Sequence, residues 1–211
     1  MIVIVGGSQL TKNLVRALSK LKEKVVFMME SKDEAMELSN ETGAIGVVGD
    51  PSEPKDLDEL ELRSADVFIA ATEREDTNVL AALYAKEEGA KSVFAEVRGR
   101  STAKVLSKMG ITPVDAEEQA ARMIELTISR PGVAKLVSLG EAGMDIIEVV
   151  CRGTKLVGKT FGEVHGKGFH PVAVYKEGKL LVDESEKLDE NSVLIIMCPV
   201  GTAERVRRSL A

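Results

Sequence analysis

A chain of 211 residues, 44% hydrophobic and 29% charged, has room for one large domain or two small ones with buried cores. Aromatic residues make up only 3% and Trp is absent, so the core is aliphatic and a surface that stacks nucleobases on rings is disfavoured. The net charge of −6 lies in residues 1–133, which hold 17 basic and 23 acidic residues, whereas residues 134–211 hold 11 of each; with no basic stripe, nucleic acid is not expected as a partner.

The chain opens with Ile2–Val5, a short apolar run that reads as a fully buried strand and ends at Gly6 and Gly7. This is the layout of a phosphate-binding strand–turn–helix, but in G-x-G-x-x-G terms Ser8 and Thr11 replace the second and third glycines. Ser8 puts a Cβ where close approach is needed, although its hydroxyl offers a donor to phosphate. Thr11 implies either a wider helix–strand gap or a helix cap. Leu14, Leu18 and Leu21, with Val15, mark the following helix. Residues 24–29 form a second strand, ending at Glu30, where an acidic side chain suits ribose hydroxyls and repels a 2′-phosphate.

Ser31 and Glu34 make a capping box for a helix that carries Met36 and Leu38 and ends at Gly43. Residues 44–50 give a third strand, followed by a short helix near 56–60. Residues 65–72 give a fourth, after which Thr72 and Glu75 suggest a second capping box and Leu80, Leu83 and Tyr84 an apolar stripe. A fifth strand at 91–97, a helix near 103–108 and a short sixth strand at 110–114 complete the alternation. Strands alternating with helices of this length imply parallel pairing with right-handed crossovers. The expected architecture is therefore α/β, a Rossmann-type doubly wound parallel sheet over roughly residues 1–115.

Asp115 caps a long helix whose apolar positions include Ala121, Ile124, Leu126 and Ile128, and which Pro131 and Gly132 stop. Beyond it, residues 144–152, 170–182 and 191–198 read as strands, with Glu177 and Gly178 as a hairpin turn and a terminal helix after Gly201. The expected division is a nucleotide-binding domain with connector helix at 1–133 and a small α+β domain at 134–211. Cys151 and Cys198 lie in apolar runs without metal-ligand spacing and read as buried free thiols, which fits a reducing, cytoplasmic compartment. His165 and His170 read as loop or surface residues. The first apolar run lacks the basic flank of a signal peptide, and the longest later run, 193–198, is far below the roughly 18 residues of a membrane span. Direct membrane insertion is not expected.

Ligands of open α/β sheets sit at the carboxyl ends of the strands, which here offer Glu30, Asp50, Ala71 and Thr72. No nucleophile–base set or acid–base pair suits a dehydrogenase, so an enzyme is not expected; a small NAD-dependent oxidoreductase remains the alternative from a different class.

The order of these motifs, from IVIVGG through MESKDEA and the run Gly49 to Val97 to KMGITPVDAEEQAA, resembles the RCK or TrkA-N domain family. LVGKTFGEV, HPVAVYKEGKLLV and LDENSVLIIMCPVGTAERV resemble the TrkA-C domain that follows it. The resemblance implies a cytoplasmic regulatory subunit of a membrane potassium channel or transporter, peripheral at the inner face through that partner. It also implies assembly into dimers or an octameric ring, and NAD(H), ATP or ADP in the first domain. In some relatives the second domain takes cyclic di-AMP or metal ions. A regulator of a different cation transporter is the alternative within the same resemblance.

Carried over by position, the nucleotide site comprises Gly6, Gly7, Ser8, Gln9 and Leu10 of the first turn and Glu30 and Ser31 after the second strand. Asp50 and Pro51 follow from the third strand, Ala71 and Thr72 from the fourth, with Arg74 and Glu117 completing it. Gln9 stands where relatives often carry an Arg that reaches a terminal phosphate, and Glu96 stands where an Ala-Arg pair is common. These departures imply altered ligand choice or a silent partner in a mixed assembly.

Overall fold

The computed structural model describes residues 1–137 and 143–211, and the chain divides into two units, Met1–Ala121 and Arg122–Ala211. The first unit contains β1 (Ile2–Val5), α1 (Gln9–Leu18), β2 (Val25–Met29), α2 (Lys32–Thr42), β3 (Ile45–Val48) and α3 (Pro54–Asp58). It continues with β4 (Val67–Ala70), α4 (Glu75–Glu87), β5 (Ser92–Glu96), α5 (Arg100–Lys108) and β6 (Thr112–Val114). All six strands are parallel, in the order β3-β2-β1-β4-β5-β6. The expected doubly wound sheet is therefore present, with its switch point between β1 and β4.

Period-two side-chain alternation explains both faces. Val3, Val5, Val26, Met28, Phe68 and Ala70 share one core with Leu57 of α3, Ala81, Ala82 and Ala85 of α4 and Leu106 of α5. Ile2, Ile4, Val25, Phe27 and Met29 share the other with Val15 of α1 and Ala35 and Leu38 of α2. β1 and β2 bury every residue because both faces are covered.

Local signals fix several element ends. Ser31 caps α2 by accepting the Glu34 N–H at 3.4 Å, and Gly43 ends it at φ 74°. The Asp115 carboxylate accepts the Glu118 N–H at 2.8 Å and starts α6 (Ala116–Ser129), which runs across the division between the units. Three expectations are corrected. α4 begins after Arg74, with no side-chain cap, because the Thr72 hydroxyl is bound to the Arg74 backbone and the Asn78 side chain. Leu21 and Leu80 are 53% and 61% exposed: α1 ends at Leu18, and α4 lays Ala81, Ala82 and Ala85 on the sheet, with Leu83 partly buried beside them and Leu80 turned outward. Pro131 ends one helix but opens another, α7 (Pro131–Val137), at the position where a missing N–H costs nothing.

The second unit holds an antiparallel sheet in the order β7-β10-β8-β9, made of β7 (Met144–Val150), β8 (His170–Lys176), β9 (Lys179–Leu181) and β10 (Val193–Pro199), followed by α8 (Ala203–Leu210). Glu177 and Gly178, at φ 50° and 77°, form the expected two-residue turn between β8 and β9. Ile147, Val149, Leu194 and Ile196 face a core with Phe161, Phe169, Leu188 and Val206. Cys151 and Cys198 are buried free thiols, and burial pushes the Cys151 thiol up from its ordinary pKa, which keeps it protonated and inert.

Gly6 adopts φ 133°, and a Cβ there would lie 2.5 Å from the Ala71 carbonyl oxygen, whereas a Cβ on Gly7 would meet nothing within 4 Å. Gly6→Ala is therefore expected to destabilise the chain by about 3 kcal/mol in urea unfolding, and Gly7→Ala by less than about 0.5 kcal/mol.

Candidate functional site

The carboxyl ends of β1, β2 and β4 surround a cleft of about 290 Å³ at the switch point. Gly6, Gly7 and Ser8 form its floor, Met29, Glu30, Ser31 and Glu34 one side, and Pro51, Thr72, Glu73 and Arg74 the rest of its rim. Eight of the residues expected at the site thus come together. Of the other five, Gln9 donates from Nε2 to the Asn13 side chain and lines a neighbouring groove, and Leu10 lines an apolar groove beside α1. Asp50 is held by its own turn. Ala71 supplies a carbonyl beneath the floor, and Glu117 lies near Arg98, 3.9 Å away, at the start of α6.

The floor answers the question raised by the two missing glycines. The Ser8 hydroxyl donates to the Ala71 carbonyl at 2.7 Å, and the Thr11 hydroxyl donates to the same oxygen at 2.7 Å. Ser8 also caps α1 by accepting the Thr11 N–H at 3.2 Å. Thr11 is fully buried and Ser8 is 9% exposed. The expected donation from Ser8 to phosphate is corrected: its one proton is committed to Ala71. Thr11 needs neither a wide gap nor a cap role, because its hydroxyl faces the backbone acceptor of Ala71, just past β4.

The rim is set by a residue that sequence reasoning passed over. Asn78, 1% exposed on α4, accepts from the Thr72 N–H and hydroxyl at 2.7 Å each and donates to the Thr72 and Glu96 carbonyls at 3.1 Å. Its amide satisfies every hydrogen-bonding group it has, pinning the β4 exit to the β5 exit. A polar residue among the alanines of α4 was the available signal. Met29, Glu34 and Glu73 also line the cleft without having been expected there.

Charge in the cleft is mostly negative. Arg74 is tied to Asp76 by two hydrogen bonds, at 2.8 and 3.3 Å. Asp76 raises its pKa further, with Asp50 and Glu30 adding to the effect. The Ser52 hydroxyl and N–H hold the Asp50 carboxyl below its ordinary range. Glu34 pairs with Lys12 at 3.1 Å. Among the described residues no cluster of three or more His, Cys, Asp or Glu side chains is arranged to hold a metal ion.

A six-stranded parallel sheet with a glycine turn under its switch point and a carboxylate at the end of β2 defines the Rossmann-type class of α/β domain. Within that class, the chain belongs to the TrkA-N domain family, which it matches over residues 2–115. It is 29% identical over 210 residues to the Trk system potassium uptake protein TrkA homolog of Methanothermobacter thermautotrophicus, covering 97% of either chain. Among solved structures it is similar to the GsuK channel bound to NAD, with 21% identity and a TM-score of 0.53 over 96% of this chain and 38% of that one. It is also similar to the human SLO3 gating ring, with 14% identity and a TM-score of 0.71 over 99% of this chain and 46% of that one. At those identities the likeness is one of fold, and the chain spans less than half of either solved chain.

Glu96 ends β5, with Oε2 buried and without a hydrogen-bond partner; burial raises its pKa, opposed by Arg98 and assisted by Glu117 and Asp115. A carboxyl whose pKa is raised on folding holds its proton more tightly in the folded state, so its ionisation destabilises above that raised value and not below the ordinary one. Glu96→Gln is expected to raise the thermal midpoint at pH 7 by about 2 °C. Differential scanning calorimetry should show the gain fading as pH falls through the raised value toward about 4.3.

Proposed function

We propose that the chain is a regulatory subunit of a membrane potassium channel or transporter, that it binds an adenine nucleotide in the cleft at the switch point, and that it is not an enzyme. The observation that carries this reading is the cleft itself: a glycine floor at the amino end of α1, where free N–H groups and the helix dipole suit phosphate, facing Glu30, a carboxylate placed for ribose hydroxyls. The potassium-uptake name of the full-length relative and the NAD named with the GsuK channel support the transport role and the NAD(H), ATP or ADP class of ligand. No helix among the described residues is long and apolar enough to cross a membrane, so the proposed contact with the membrane is through the partner.

The proposed assembly is at least a homodimer, and a ring in the full complex. Its support is an apolar groove of about 350 Å³ on the sheet face beside α1, lined by Leu10, Leu14, Leu18, Ile69, Phe94 and Val114 among others. α6 has no buried residue and leaves Ile124 and Ile128 62% and 78% exposed, one helical turn apart. α6 of a second copy is the proposed occupant. Nucleotide then acts by population shift, through contacts that differ between two arrangements of neighbouring copies. For the second unit, cyclic di-AMP remains the proposed ligand class; its support is a cleft of about 300 Å³ lined by Lys155, Lys159 and Lys167.

The test combines equilibrium binding of adenine nucleotides with light scattering. Millimolar-or-better binding and a dimer at micromolar concentration are expected, with Leu14→Asp giving monomer. Absence of binding removes the switch, and a wild-type monomer removes the assembly.

A further inference from the structure

We propose that Glu96 makes the association of two copies proton-dependent: each apolar groove closes over a second copy's α6 with the Glu96 carboxyl neutral, and so takes up one proton from solvent as it fills. This rests on the reading that α6 of a second copy fills that groove, and it names what regulates the contact.

The groove gives the carboxyl nothing to pair with. Among the described residues Glu96 is the one ionisable side chain in its lining; Ile2, Leu14, Ile69, Phe94 and Val114 are typical of the rest. Oε2 of Glu96 is out of water and without a hydrogen-bond partner before anything docks. The groups around it are committed elsewhere. Arg98 has its ion pair with Glu117, at 3.9 Å, and its backbone N–H donates to Glu75 at 3.0 Å. Asp115 accepts the Glu118 N–H at 2.8 Å as the cap of α6. Asn78, on α4, donates at 3.1 Å to the Glu96 backbone carbonyl, which leaves the carboxylate unserved. In the single copy burial raises the pKa of the carboxyl, Arg98 opposes the rise, and Glu117 and Asp115 add to it.

The incoming helix supplies no partner either. At 100° per residue, the face of α6 that carries Ile124 and Ile128 also carries Glu117, Ala120, Ala121 and Thr127. The Thr127 hydroxyl donates to the Met123 carbonyl of its own helix at 2.8 Å, and Glu117 is a second carboxylate. Glu118 and Glu125 lie toward one flank. Arg122, the one cation of α6, lies about 160° round the helix from Ile124. Seating α6 therefore takes water from Glu96 and returns acid, not cation. An ionised carboxylate left in that setting is far more costly than a neutral one. A carboxyl whose pKa rises on association binds a proton as the pair forms, so association tightens as pH falls and weakens as pH rises. A symmetric pair with two filled grooves takes up two protons.

Sedimentation equilibrium of the full chain between pH 6 and pH 8, at physiological salt and in 1 M salt, is the test. The dimer dissociation constant is expected to rise at least tenfold from pH 6 to pH 8. That dependence is expected to persist in 1 M salt, where the Debye length is about 3 Å and repulsion between exposed acids is screened. Glu96→Gln and Glu96→Leu are each expected to dimerise with a constant that varies less than threefold over the same range. A wild-type dimer whose constant is flat with pH, or becomes flat in 1 M salt, overturns the proton-linked role and leaves the assembly standing. Full pH dependence retained in either variant overturns the assignment to Glu96. A wild-type monomer at every pH overturns both the assembly and the proposal.

Discussion

Two hydroxyl protons meet one backbone oxygen at the centre of the first unit, and the arrangement of the cleft depends on that meeting. Ala71 is the first residue past β4, and its N–H extends the β1 pairing through Val5. Its carbonyl points back toward the β1–α1 turn, where Gly6 makes room and Ser8 and Thr11 supply the donors. Without those side chains, a buried carbonyl at the switch point would lack partners, at a cost of about 1–3 kcal/mol. Ser8 and Thr11 stand where the dinucleotide fingerprint has glycines, and they bolt the turn to the exit of the neighbouring strand while the strand–turn–helix geometry remains.

The fold was legible because its signals are local. Unbroken apolar runs gave β1 and β2, Gly43 and Asp115 gave helix ends, and Glu177 with Gly178 gave a hairpin whose two left-handed residues are chemically distinctive. The misreadings share a cause: tertiary partners outbid local ones. Thr72 has the sequence of a helix cap, yet Asn78, six residues on, takes its hydroxyl and N–H. Leu80 has the pattern of a core residue, yet α4 turns Ala81, Ala82 and Ala85 to the sheet and leaves Leu80 on its outer face. At the cleft, eight positions could be placed because strand ends are predictable. Gln9 and Leu10 point elsewhere because a helix turns 100° per residue and carries successive side chains to different faces. That the hydroxyls of Ser8 and Thr11 would share one acceptor sixty residues away was not written in any nearby pattern.

The first unit is unevenly finished. On one face α3, α4 and α5 share a core with the sheet, and on the other α1 and α2 cover β1 and β2, leaving an apolar groove that runs beside α1 toward Phe94 and Val114. Glu96 lines the same groove and keeps a carboxylate oxygen from water without a partner. An apolar groove with one unsatisfied acid is an incomplete interior, and it is the support for the association proposed above.

The alanine face of α4 has a consequence for how this domain tolerates change. Ala81, Ala82 and Ala85 are at most 1% exposed against the sheet, and the same helix carries Asn78 to the Thr72 loop. A larger side chain at any of the three would lift the helix and carry the amide with it. The entry to α4, with Glu73 and Arg74 just before it and Asp76 in its first turn all facing water, has no such restriction. Variation among descendants of this sequence therefore has a permitted zone and a frozen one within a single helix: its exposed end can drift toward new chemistry only while its buried half stays small.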